Sequence, residues 1–178
     1  MARFFALLSA VLLAACSAAQ GGAPAPKADM GRVRDLAGIL TPAEEARLTE
    51  RLDEAQRLYG PHVGIVTVPS LDGKPIEDAS LDYARQWGLG DKHRNDGLMI
   101  MVAPNDRRVR IEVGSGLEGS FNDVFCKHVI DTAMIEHFSQ GHYNRGLAAA
   151  LDMMIGKMRD VPTLPANDNA PLPAREAA

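Results

Sequence analysis

The run Gly97-Leu98-Met99-Ile100-Met101-Val102-Ala103-Pro104-Asn105-Asp106-Arg107-Arg108-Val109-Arg110-Ile111-Glu112-Val113 decides the fold. Gly97 to Ala103 is continuously apolar, as a strand covered on both faces would be. Pro104 to Arg107 supplies a turn. Beyond it, Val109, Ile111 and Val113 alternate with Arg108, Arg110 and Glu112, so this strand has one wet face or lies near a sheet edge. The short turn makes the pair an antiparallel hairpin.

Toward the N-terminus, Ile76, Ala79, Tyr83 and Trp87 share a helical face, closed by Gly88 and Gly90. Val63 to Val68, stopped by Pro69, reads as a buried strand. Thr41-Pro42-Ala43-Glu44 is a capping box with proline at the first helical position. It opens a helix carrying Leu48, Leu52, Ala55 and Tyr59 on one face, closed by Gly60-Pro61. Toward the C-terminus, Ser120 opens a helix with Phe121, Phe125, Val129 and Ala133 facing inward. The last helix carries Tyr143, Leu147, Leu151, Ile155 and Met158. The order is α-β-α-β-β-α-α, with no internal repeat. A strand–helix–strand unit favours parallel pairing with a right-handed crossover. The expected fold class is α/β, a three-layer α/β/α sandwich around a small mixed sheet.

Composition supports one globular domain: 178 residues, 46% hydrophobic and 24% charged. A formal net charge of −4 argues against a grip on nucleic-acid phosphates. Two cysteines exclude both a disulfide scaffold and a four-thiolate zinc site. The five histidines show no pair at zinc-ligand spacing with a third partner, and no Gly-x-Ser-x-Gly elbow or Walker loop occurs. Cys126, beside Val129 and Ile130, reads as a buried free thiol.

The ends differ from the centre. In residues 1–15, Arg3 precedes an apolar run from Phe4 to Ala15. That run is shorter than the roughly 20 residues of a membrane-spanning helix and has the length of a secretory leader. Leu13-Ala14-Ala15-Cys16 resembles a bacterial lipobox. The resemblance implies cleavage before Cys16 and acylation of its thiol and of the new N-terminus. The chain is then expected in the bacterial envelope, anchored in a membrane and facing the periplasm. Ser17 resembles lipoproteins sent to the outer membrane. Residues 16–31 read as a flexible tether and 159–178, rich in proline and alanine, as a disordered tail, leaving 32–158 as the folded unit.

Several strings resemble the TPM domain family when taken together. They are Val33-Arg34-Asp35-Leu36-Ala37-Gly38-Ile39-Leu40, Trp87-Gly88-Leu89-Gly90, Asp96-Gly97-Leu98, and Ile111-Glu112-Val113-Gly114-Ser115-Gly116-Leu117-Glu118-Gly119. Asp123 and Gly141-His142-Tyr143 belong with them. Ser115 stands where an aromatic is usual, and the acidic turn is written Asn95-Asp96-Gly97. The family includes bacterial envelope proteins and a thylakoid acid phosphatase. The resemblance implies an acidic groove holding a divalent metal at the glycine loop.

The hairpin alone gives a related expectation. Asp96 precedes one strand, and Glu118 and Asp123 follow its antiparallel partner, so all three lie at one end of the sheet. Glycines at 114, 116 and 119 would permit left-handed turns and leave backbone groups open to a ligand. Carboxylates and free carbonyls are hard donors suited to Ca2+ or Mg2+. On the residues alone, Asp123 can instead complete a cap with Ser120, and Asp96 can simply shape the turn. Asp35 is typical of the family, yet simple topology puts it at the other sheet end. Either residues 32–40 cross back over the sheet or Asp35 is structural. Three functions follow: a metal-dependent phosphatase-like hydrolase, a non-catalytic envelope module that uses metal to stabilise the domain or to dock on a protein partner, or a plain structural lipoprotein domain with no metal. No nucleophile, arginine clamp or general base is evident. Cys16→Ser should abolish labelling by radioactive palmitate in the native host; undiminished labelling would remove the anchor.

Overall fold

The computed structural model describes residues 31–161. The expected leader, Cys16 with its tether up to residue 30, and the tail beyond Val161 lie outside the described residues. One four-stranded sheet runs in the order β1 (Val33–Asp35), β2 (His62–Thr67), β3 (Gly97–Ala103) and β4 (Arg108–Val113). The first three strands are parallel and β4 returns antiparallel. The hairpin register pairs Leu98 with Val113 and Ala103 with Arg108. The α/β class and mixed sheet expected from the hairpin are present.

The element order is corrected at its start. A strand, β1, precedes the first helix, and Val33, Arg34 and Asp35 pair with Ile65, Val66 and Thr67. Three residues are too few for alternation to register. This strand exists because β2 offers it a ladder.

Helix α1 (Pro42–Tyr59) carries the expected capping box. Thr41 accepts from the Glu44 backbone N–H at 3.3 Å, and Glu44 Oε2 accepts from the Thr41 N–H at 2.8 Å. That backbone bond from Thr41 lowers the Glu44 pKa below the usual carboxylate value. Leu48, Leu52 and Ala55 pack with Val63, Ile65, Leu98 and Ile100 on one sheet face. Helix α2 (Ile76–Trp87) ends at Gly88, a left-handed cap. It lays Ile76 and Ala79 on the opposite face, against Val66, Met99 and Met101. The β1-to-β2 and β2-to-β3 connections step in the same direction but pass over opposite faces. They are therefore of opposite hand, and one departs from the right-handed rule.

The C-terminal helices complete the α1 layer. The helix expected from Ser120 begins at Asp123 instead: Asn122 is the cap and accepts from the Phe125 N–H at 3.0 Å. Helix α3 (Asp123–Val129) passes through a π-turn over Ile130–Met134 into α4 (Ile135–Ser139). The Thr132 hydroxyl donates to the His128 carbonyl at 2.7 Å inside that turn, a back-bond that loosens a helical ladder. The π-turn keeps Val129, Ala133 and Met134 all buried. Helix α5 (Tyr143–Met158) closes the core with Leu147, Leu151 and Met154. Among the described residues, no helix is long and apolar enough to cross a membrane.

Asp35 sits at the C-terminal end of β1. It accepts from the Thr67 hydroxyl and from the Leu40 N–H at 2.8 Å, while Thr67 accepts from the Ala37 N–H at 3.0 Å. This carboxylate ties the 36–40 loop to the end of β2. Asp35→Ala should cost about 1–3 kcal/mol in chemical denaturation by leaving these donors unpaired. A loss below about 0.5 kcal/mol would match an ordinary surface site and remove the structural role.

Candidate functional site

Strand β3 starts at Gly97 and β4 ends at Val113, so the loops beside them share one sheet end, as the hairpin predicts. The loops meet. The Gly114 N–H donates to the Gly97 carbonyl at 2.8 Å, and the Gly116 N–H to the Asn95 carbonyl at 3.1 Å. Asp96 lies at this end; Glu118 follows in the loop beyond Gly116, and Asp123 opens α3. Asp35 lies at the other, beside Thr67, and does not join them.

The glycine loop is not an open cradle. Gly114, Gly116 and Gly119 are not among the residues with positive φ, so left-handed turns are not their purpose. A Cβ on Gly114 would stand 2.2 Å from the Asn95 carbonyl oxygen, and one on Gly116 1.8 Å from that of Arg94. On the facing loop, a Cβ on Gly90 would stand 2.5 Å from the Gly97 nitrogen, and one on Gly97 2.6 Å from the Leu89 oxygen. Three backbone segments therefore touch directly, and the N–H groups of Gly114, Gly116 and Leu117 are spent on chain carbonyls.

Asp96 is buried at 6% exposure. One carboxylate oxygen accepts from the Asp91 N–H and the other from Arg94 Nε, both at 2.7 Å. Glu118 and Asp123 are exposed, and Asp123 follows the Asn122 cap at the start of α3. Among the described residues, no three His, Cys, Asp or Glu side chains are grouped to hold one ion. A divalent ion does not fit Asp96, because a guanidinium already stands against its carboxylate. Two unit charges of like sign 4 Å apart repel by roughly 4 kcal/mol at an effective dielectric of 20, and a divalent ion doubles this.

What the fold does create here is a groove of about 610 Å3 on the α2 side of the sheet. Leu81, Ala84 and Met99 supply apolar lining, while His62, Arg85, Asp91 and Lys92 add polar groups. Burial pushes His62 below the usual imidazole range. The N–H groups of His93 and then Arg94, donating to Asp91, hold its carboxyl below the usual value. Glu112 enters the groove wall with one oxygen accepting from Ser80 Oγ and Arg110 Nε, each at 2.8 Å. The face of β4 expected to be wet is thus half covered by α2. Sequence reading missed Arg85, Asp91, His62 and Glu112 as a group. They come from four separate segments, and of the four only Glu112 falls inside one of the family-like strings.

Cys126 is buried and free, with Sγ 3.5 Å from the Phe121 carbonyl oxygen. Burial pushes its thiol to a pKa of about 11, so it is no nucleophile at neutral pH.

A family model for the TPM domain matches residues 33–157. The chain belongs to the TPM domain family. The solution structure of the N-terminal domain of a P. gingivalis protein is similar at 36% identity and a TM-score of 0.68, covering 76% of this chain and 88% of that one. The N-terminal domain of cg2496 from Corynebacterium glutamicum shares the TPM fold at 15% identity, with a TM-score of 0.59 and coverage of 88% and 95%. BA42 from Bizionia argentinensis shares it at 19% identity, with a TM-score of 0.62 and coverage of 74% and 91%. No curated protein matches. The TPM strings around Gly90, Gly97, Gly114 and Gly116 coincide with the points where backbones touch.

The two readings of the glycine loop separate at single methyl groups. Gly116→Ala should destabilise by about 3 kcal/mol or more, as an overpacked site does. Gly119→Ala, with nothing within 4 Å of its Cβ, should change stability by less than about 0.5 kcal/mol. Equal, small effects in urea denaturation would restore the open-cradle reading.

Proposed function

We propose that this chain is a lipid-anchored protein of the bacterial envelope whose TPM domain is a non-catalytic binding module. The groove between α2, the 88–97 loop and the end of β4 is its contact surface for an envelope protein. The observation that carries this reading is the division of labour at the sheet end. Of the expected carboxylates, Asp96 is committed with the Gly114, Gly116 and Leu117 N–H groups to holding loops together, while Glu118 and Asp123 stay on the surface and the groove beside them offers apolar lining and polar groups. Leu81 adds an apolar side chain 37% exposed to solvent. A concave surface of this composition suits recognition of a partner's side chains.

The anchor supports the same reading. Strands β1 to β3 are parallel, so Arg32 enters β1 at the end of the sheet where His62 and Gly97 begin their strands. A tether from Cys16 is on this reading expected to approach the domain from that end. A metal-dependent phosphatase, which the family resemblance implies, finds no support in Asp96, whose oxygens are both engaged.

A photo-crosslinking residue placed at Leu81 in intact cells tests the proposal. It should give a discrete adduct that the same residue at Leu58, which is exposed on α1, does not give. Equal labelling at both positions, or Mg2+- or Ca2+-dependent hydrolysis of p-nitrophenyl phosphate by the purified chain, would contradict it.

A further inference from the structure

Strand β4 is an outer edge of the sheet: among the described residues, no strand pairs with it beyond β3. Its register with β3 runs without a bulge from Arg108 to Val113, and no proline interrupts it. The Gly114 N–H donates to the Gly97 carbonyl, which makes these two a hydrogen-bonded pair. Alternation along an antiparallel ladder then turns the main-chain groups of Glu112, Arg110 and Arg108 toward β3 and those of Val113, Ile111 and Val109 outward. The side chains of these last three pack into the main core, so what they offer outward is backbone. A row of outward N–H and C=O groups is a template for another strand, which proteins commonly blunt with proline, a bulge or charge. The first two are absent from β4, and its charges favour one partner.

That partner is a second β4, running antiparallel and centred on Ile111. Val109 then lies opposite Val113 and Ile111 opposite itself, so all three outward residues enter the new ladder. Arg110 lies opposite Glu112 twice, in the pairs whose side chains approach most closely, with Cα atoms about 4.5 Å apart. The next registers that keep the ladder set Arg110 against Arg110 or Glu112 against Glu112, and like charges directly opposite are destabilising. A centre between two residues would set outward groups against inward ones and make no ladder. Arg110 holds its own Glu112 through Nε at 2.8 Å, and with 36% of its side chain exposed it has N–H groups left for a second carboxylate.

We propose that β4 is the interface of a homodimer, in which two copies join edge to edge, antiparallel and centred on Ile111, into one eight-stranded sheet. This inference goes beyond the binding role of the groove and does not rest on it. The two fail separately: one is read from self-association, the other from crosslinking to a different protein.

The test is co-purification of two differently tagged copies of the full chain from detergent-solubilised membranes. The wild-type pair should be recovered together. Arg110→Glu on both copies, or Glu112→Arg on both, sets like charges across the seam and should cut recovery by about tenfold or more. One copy with Arg110→Glu and the other with Glu112→Arg should restore it, because each acidic side chain again faces a basic one. Harm done by either substitution inside its own copy, at Ser80 or Glu77, would persist in the mixture. If either variant fails to fold by circular dichroism, Val109→Pro is read in its place. It removes an outward N–H and no bond to β3, as an edge strand tolerates, and should reduce recovery as strongly. No recovery of the wild-type pair, no loss in the folded variants, or a mixture recovered no better than the variants alone would overturn the proposal.

Discussion

The contact on which the rest of this structure depends is backbone against backbone, with no side chain between. The 88–97 loop, the start of β3 and the 114–117 turn approach so closely that Gly90, Gly97, Gly114 and Gly116 have no room for a Cβ. Two cross-loop hydrogen bonds, Gly114 to Gly97 and Gly116 to Asn95, extend the hairpin ladder past its last strand pair. This seal fixes where β3 begins, buries Asp96 and raises one wall of the groove. It also consumes the donors that an open glycine loop would have offered to a ligand.

Once Asp96 is buried by that seal, its charge must be met inside the loop, and Arg94 meets it. A similar logic runs under α2. Glu112 on β4 is kept at 17% side-chain exposure by Ser80 and Arg110, and Arg110 also faces Glu77 at 3.9 Å. A polar network thus seats α2 on an edge strand whose other face, through Ile111, belongs to the main core. Such networks add position more than stability, since partly exposed ion pairs contribute about 1 kcal/mol or less. They hold α2 at the register that leaves the groove beside Leu81.

The hairpin and its surroundings were legible because their signals are long and periodic. The uninterrupted apolar run of β3, the alternation in β4 and the capping box at Thr41 each report one physical cause, and each element is present. Strand β1 was not legible, because three residues hold no period and its stability is borrowed from β2. The π-turn at Ile130 was hidden because Val129 and Ala133 fit an ordinary α-helix up to the point where Met134 is also buried. At the site, sequence placed Asp96, Glu118 and Asp123 at one end and left Asp35 between two possibilities, and the register of β1 assigns it to the opposite end. Sequence did not distinguish glycine needed for a turn from glycine needed for contact. That distinction lies in what stands opposite each residue.

The most direct measurement of this account is amide hydrogen exchange, read residue by residue by NMR. If the glycine segment is sealed against the 94–97 backbone, the Gly114, Gly116 and Leu117 amides will exchange slowly, at rates close to those of β3. The Asp91 amide, bonded to Asp96, will be protected with them. If these amides instead exchange like those of an unstructured loop while β3 stays protected, the segment is open to ligands and the account fails.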